Sequence, residues 1–305
     1  MSNIRIRPQT YFVLAGSILV VSTAFLMIRG AQSEQVPSLA IAFWRLALAS
    51  ILLWVFIGSR RQTLNELSSL PRASLLWMLG SGVFLAVHFA TWIASLAYTS
   101  VASSTALVST NPVWLAMFSW LILKDPPDRW IWLGVSASLI GSAVIFATDA
   151  STATPNPLWG NSLALAGSVA VCGYLLIGRR LASHVSISTY VTIVFSAAAL
   201  ALLVLALLTR TTLAGFSATA WLCLIGLAIG PQLLGHSGIS WSLRHLAPTM
   251  VAVAILGEPI GSAVLAWWIL GEVIGPLQLA GFVMLMSGIF LAARSTTSRT
   301  VEVAP

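Results

Sequence analysis

Charged side chains make up only 8% of the 305 residues, against roughly 25% in an ordinary soluble domain. A chain this poor in charge cannot clothe a globular surface in water, so a soluble enzyme or binding domain is excluded and lipid is expected to solvate most of the outside. Cysteine is nearly missing too. Cys172 and Cys223 lie in separate apolar stretches without CxxC or metal-ligand spacing, which leaves no basis for a disulfide framework and suggests small buried packing residues. Phosphate loops, HExxH metal sites and paired-carboxylate clusters do not occur, so neither cofactor nor metal is expected. No polar stretch is long enough for a soluble domain either, the longest being 59–72 and 149–157.

What the chain has instead is apolar length. Hydrophobic residues reach 58%, and runs of about 20 residues, the length a helix needs to cross ~30 Å of hydrocarbon, can be read at 11–30, 38–58, 73–97, 101–123 and 129–148. A second series follows at 158–178, 187–208, 217–241, 247–270 and 274–294. The expectation is an all-α integral membrane protein with ten transmembrane helices. The first run follows two arginines and imitates a signal peptide, but its loss would leave four helices in one half against five in the other, so it is read as retained.

A net charge of +7 would suggest nucleic acid in a soluble chain; here the basic residues alternate from loop to loop, and no nucleic-acid partner is expected. With a cytoplasmic N-terminus, the inner side holds Arg5, Arg7, Arg60, Arg61, Arg72, Lys124, Arg129, Arg179, Arg180, Arg244, Arg294 and Arg299, which is 12 of the 15. Arg29 and Arg210 fall outside and Arg45 within the second span. The excess of inner basic residues places both termini in the cytoplasm.

Residues 111–148 lie over 258–295 at a constant offset of 147, without a gap. Asn111-Pro112 falls on Glu258-Pro259, Trp120 on Trp267, Asp125 on Glu272, Gly134 on Gly281 and Gly141 on Gly288. The chain reads as a duplication, residues 1–150 and 151–305, divided by a Ser/Thr/Pro linker at the centre. Five spans per copy is an odd number, so the second copy enters from the opposite face and the two five-helix repeats are inverted. Such repeats meeting at the midplane are the usual architecture of a secondary transporter.

Ionisable and polar groups inside spans are expensive and mark candidate sites. Glu258 sits midway along the ninth span before Pro259, where a lone carboxylate is expected neutral or paired, and the proline frees a nearby carbonyl. It is the candidate proton-coupling group; the alternative is a protonated Glu merely tying helices. Asn111-Pro112 repeats the arrangement without an acid, after an approach rich in Ser and Thr. His88 and His236 occupy positions that approximate each other under inverted symmetry, with Trp92 and Gln232 on their respective faces. Buried imidazoles can bind substrate, carry protons or tie helices. Trp44, Trp92 and Trp114 lie deeper than the other tryptophans, which fit interfacial belts. Arg45 is a secondary candidate, within snorkelling distance of the outer interface, where a headgroup anchor is preferred to an anion site. Gly235-His236-Ser237-Gly238 looks like an intramembrane serine-protease motif, but the only later histidine is His245 near a loop, so no base is in evidence.

These residues resemble the EamA family of the drug/metabolite transporter superfamily, in Asn111-Pro112 with Leu123-Lys124-Asp125, Gly134 and Gly141, and more closely in Leu256-Gly257-Glu258-Pro259 with Leu270-Gly271-Glu272, Gly281 and Gly288. Phe43-Trp44-Arg45 is similar to that family's arginine-bearing second span, while Asp125 and Pro126-Pro127 depart from its pattern. The resemblance implies a bacterial inner-membrane carrier, often an exporter of amino acids, metabolites or drug-like compounds, with a cavity lined here by His88, Trp92, Asn111, Trp114, Gln232, His236 and Glu258. It implies a small-molecule substrate and protons as partners beside the lipid bilayer, and no enzymatic activity. An intramembrane enzyme and a non-transporting receptor or assembly subunit are the alternatives; oligomeric state is left open.

Overall fold

The computed structural model describes residues 8–58, 60–123, 129–149, 154–181, 184–242, 251 and 254–302, and every regular element among them is helical. In chain order these are α1 (Pro8–Ser22), α2 (Ala24–Ser33), α3 (Ser38–Gly58), α4 (Arg61–Ser68), α5 (Arg72–Ser95), α6 (Val101–Val108), α7 (Asn111–Leu123), α8 (Arg129–Asp149), α9 (Pro157–Leu181), α10 (Ile187–Leu208) and α11 (Ala218–Leu227). A π-helical stretch, Ala228–His236, leads into α12 (Ser237–Ser242). Then come α13 (Gly257–Leu265), a second π-helical stretch at Ala266–Leu270, and α14 (Pro276–Glu302). Arg5, Arg7, Lys124, Asp125, Pro126, Pro127, Arg244 and His245 lie outside the described residues.

Among the described residues seven helical stretches are long and apolar enough to cross a bilayer: Gln9–Ser33, Ser38–Gly58, Arg72–Ser95, Arg129–Thr148, Pro157–Gly178, Ile187–Leu208 and Ala218–Ile239. The chain is a multi-pass, all-helical membrane protein. Ten spans were expected; the fourth, ninth and tenth are not among these seven. The fourth expected span is broken at Ser109 and Thr110, whose hydroxyls donate to the carbonyls of Thr105 and Leu107, just ahead of Asn111 and Pro112, the latter having no amide hydrogen to continue the ladder. Of the ninth, residues 247–250, 252 and 253 lie outside the described residues, and the rest is interrupted by a turn at Leu256 and by the π-helical stretch. The tenth lies in α14, Pro276–Glu302, of which Pro276–Leu291 is apolar.

Large apolar side chains such as Phe12, Val55, Leu76, Leu208 and Trp268 stay exposed around the bundle, as a lipid-facing surface requires. Inside, one core joins α2, α3, α5, α10 and α11 through Phe25, Ile41, Leu46, Phe89, Val194 and Leu224; a second joins α6, α8 and α14 through Leu107, Val135 and Leu285. Between α8 and α14 the backbones nearly touch. A Cβ on Gly141 would sit 2.5 Å from the Leu285 nitrogen and 2.6 Å from the Gly281 carbonyl oxygen, and one on Gly288 would sit 2.5 Å from the Gly134 carbonyl oxygen. Only glycine permits this approach. Because Gly141 meets Gly281 while Gly134 meets Gly288, the two helices run antiparallel.

One end of the bundle is stitched by polar groups. Arg29 Nη2 donates to the Thr99 carbonyl at 2.8 Å and lies 3.5 Å from Glu272, whose carboxylate accepts the Val101 amide at 2.9 Å at the start of α6. A pocket of ≈ 280 Å³ opens beside this network, lined by Ser100, Glu272 and Gln278 among others. None of the candidate site residues borders it, although Glu272, which the repeat and the family resemblance both pick out, does.

Candidate functional site

Arg45 of α3 is fully buried, about 10 Å along the helix from its start. It faces inward because it shares its side of α3 with buried Ala42, Leu46 and Ala49, while Ile51, Leu52 and Val55 take the lipid side. The headgroup-anchor expectation is thereby corrected: the guanidinium does not reach the surface. A charge taken this far from water is tolerable only with partners. Nε donates to Gln232 Oε1 at 2.6 Å, and Nη2 lies 3.2 Å from His236 Nε2. Guanidinium has no acceptor capacity, so His236 Nε2 must be the acceptor and the ring proton resides on Nδ1. The Phe89 ring lies beneath the guanidinium, 4.1 Å from its carbon to the ring centroid, and Trp92 flanks it at 5.7 Å.

Gln232 and His236 reach the same cation because Pro231 interrupts the helix that carries them. It lacks a backbone donor, and the chain relaxes into wider π turns over Ala228–His236. On α5, His88 stacks on Trp92 with centroids 6.0 Å apart and donates from Nδ1 to the Gly167 carbonyl of α9 at 2.9 Å. This leaves Nε2 as an acceptor. Trp92 is only 4% exposed, yet its Nε1 has no partner, and neither has Arg45 Nη1.

Glu258 stands in the first turn of α13. Its carboxylate and the Arg45 guanidinium attract each other electrostatically without closing into a direct ion pair. Its helix is held by the kink between α1 and α2: the Ser22 carbonyl, freed at the kink, accepts from Ser262 Oγ at 3.1 Å, and Ser22 Oγ lies 3.3 Å from the Glu258 carbonyl.

Of the residues picked from the sequence, Arg45, His88, Trp92, Gln232 and His236 converge on one cluster, with Glu258 in electrostatic reach. Asn111 and Trp114 lie elsewhere, along α9: Trp114 Nε1 donates to Thr110 Oγ1 at 3.1 Å, Thr110 Oγ1 lies 2.9 Å from Ser168 Oγ, and the Asn111 carbonyl faces Cys172 Sγ at 3.5 Å. Trp44 donates to the Leu213 carbonyl at 2.8 Å and packs edge-on against Trp221, a wall of the bundle end. Ser237 has no histidine partner among the described residues, and His245 lies outside them. Phe89 was missed: one apolar residue in an apolar helix carries no sequence signal, although its place one turn before Ile93 and beside His88 put it on the inner face.

The relatives of this chain agree with a membrane carrier. YetK of Bacillus subtilis (strain 168), an uncharacterized transporter, is 24% identical over 188 residues, 60% of this chain and 56% of that one. YdfC of the same organism, likewise an uncharacterized transporter, is 23% identical over 286 residues and covers 93% of this chain and 91% of its own. A solved crystal structure at 18% identity superposes with a TM-score of 0.62 over 97% of this chain and 99% of the other, a likeness of fold. The EamA-like transporter family model matches residues 9–147 and again 158–294. Since those two matches take in nearly the whole chain, including Arg45, both histidines and Glu258, this protein belongs to the EamA-like transporter family.

Proposed function

We propose that the chain is a secondary carrier that moves a small metabolite, amino acid or drug-like compound across the bacterial inner membrane, outward, by alternating access between two inverted five-helix repeats, 1–150 and 151–305. The observation that carries this reading is the Arg45–Gln232–His236–His88–Trp92 cluster. It gathers charge and hydrogen-bonding capacity from both sequence halves in the middle of an apolar bundle, where polar groups are too expensive to keep without a task. In this reading the end of the bundle tied by the Arg29–Glu272–Thr99 network is the outer one. The antiparallel contact of α8 with α14 supports the inversion, because exchanging the repeats carries the Gly134–Gly288 contact onto Gly281–Gly141.

Glu258 couples the cycle to protons in this reading. A proton on its carboxylate and a substrate at Arg45 act on one electrostatic system, so each changes the affinity for the other. Proteoliposomes carrying the purified protein are loaded with a metabolite mixture, and efflux is followed with and without an imposed pH gradient. Efflux beyond protein-free vesicles, accelerated by the gradient, is expected; Glu258→Gln removes the acceleration while the protein stays folded. A variant with undiminished gradient response rejects the coupling and leaves facilitated transport standing. Efflux equal to protein-free vesicles for every component rejects the carrier.

A further inference from the structure

We propose that Arg45 Nη1 and Trp92 Nε1 together form the recognition site for a carboxylate on the transported solute. The inference rests on the carrier reading and narrows its cargo. Both atoms are buried donors without acceptors, on side chains 0% and 4% exposed. An unmatched buried donor costs about 1–3 kcal/mol, and here two occur on neighbouring side chains, the guanidinium carbon 5.7 Å from the Trp92 ring centroid. A carboxylate carries two acceptor oxygens, one for each donor. Arginine is suited to that task, since its remaining donors, Nε and Nη2, are held by Gln232 and His236 and fix the plane of the guanidinium.

The charge count selects a monoanion. Arg45 is the cation of the cluster, because His236 Nε2 accepts its hydrogen bond and His88 donates to a carbonyl through Nδ1 alone. Glu258, the facing acid, attracts Arg45 from α13 without forming an ion pair, so the cation is partly balanced and a dianionic phosphate would be left under-neutralised. Phe89, His88 and Trp92 supply ring faces around the charge, which fits a carboxylate carried on an apolar or aromatic body.

Three probes of one shape separate the possibilities: 3-phenylpropanoate, L-phenylalanine and 2-phenylethylamine, added to the purified full chain in nanodiscs and read by thermal shift and titration calorimetry. Both carboxylates are expected to raise the melting temperature saturably and the amine to leave it unchanged. Tighter binding of L-phenylalanine than of 3-phenylpropanoate assigns the cargo an ammonium as well; the reverse assigns a plain organic acid; either supports the site. Trp92→Phe keeps the ring and removes only the N–H, and should weaken carboxylate binding about tenfold; Arg45→Lys should weaken it further. Equal stabilisation by the amine, wild-type carboxylate affinity in Trp92→Phe, or no binding of any probe overturns the proposal. The efflux assay remains the separate judge of the carrier itself.

Discussion

At the scale of single residues, the polar groups divide into those that are fully satisfied and those that are not. Glu66 belongs to the first kind. It lies on α4, outside the membrane spans, and accepts from the Ser186 amide at 2.6 Å, the Ser186 hydroxyl at 2.6 Å and the Thr189 hydroxyl at 2.7 Å, capping α10 from a distant part of the chain. Partial burial disfavours its charged form, but these hydrogen bonds outweigh that and hold the carboxyl below its ordinary value. A depressed folded-state value contributes stability above the unfolded carboxylate value, and the contribution is lost as pH falls through the folded one. Glu66→Gln should therefore melt roughly 1–3 °C below wild type at pH 7, and the gap should close as the buffer is taken below pH ~4. A gap independent of pH between 7 and 3 would mean that the cap acts by shape, not charge. Arg45 and Trp92 are of the second kind, and the unmet donors make them candidates for binding instead of support. Sequence could not sort the two kinds. Arg45 lies as close to the helix end as a snorkelling arginine does, and only the direction of its side chain, set by the small inner-facing Ala42 and Ala49, shows that it points inward.

At the scale of elements, interruptions position the site. Straight helices would place Gln232 and His236, Asn111 and Glu258 at fixed angles; the π turns around Pro231 and the breaks before Asn111 and Gly257 re-aim them. The prolines and the Ser/Thr-rich approach were legible in the sequence, so two of these breaks were foreseeable. The π turns were not, since their width depends on what the freed carbonyls meet in neighbouring helices. Where helices do run unbroken they approach through glycine. Gly288→Val puts side-chain atoms where the Gly134 carbonyl oxygen already lies 2.5 Å from the would-be Cβ, and overpacking of this kind is worth about 1–3 kcal/mol of destabilisation. Gly80→Ala on α5 is the control: a Cβ there meets nothing within 4 Å, and alanine is the better helix former by ~1 kcal/mol. Thermal unfolding in detergent should show Gly288→Val melting well below wild type and Gly80→Ala at or above it. Wild-type melting of Gly288→Val would mean that the α8–α14 contact is loose enough to part without loss.

At the scale of the molecule, the question is how one bundle could hold two states of similar energy. In the proposed reading inverted repeats answer it, because a conformation of the first repeat can be adopted by the second on the opposite side of the membrane. Function on this view resides in the equality of the halves, and the site in their inequality: an acid, Glu258, faces the cluster from one copy while the matching position of the other carries Asn111 along α9. The inversion is testable without any substrate. The connections that follow the second span of each repeat, around Asn65 and around Thr212, are both exposed. They lie on opposite faces if the repeats are inverted, and the basic residues place Asn65 inside. With Cys172 and Cys223 replaced by alanine, Asn65→Cys and Thr212→Cys are treated separately with a membrane-impermeant maleimide on intact spheroplasts and on disrupted membranes. Thr212→Cys should react in both and Asn65→Cys only after disruption. If the two behave alike, both reacting on intact cells or both only after disruption, the repeats are parallel, and alternating access by exchange of repeat conformations would have to be abandoned even if the chain transports.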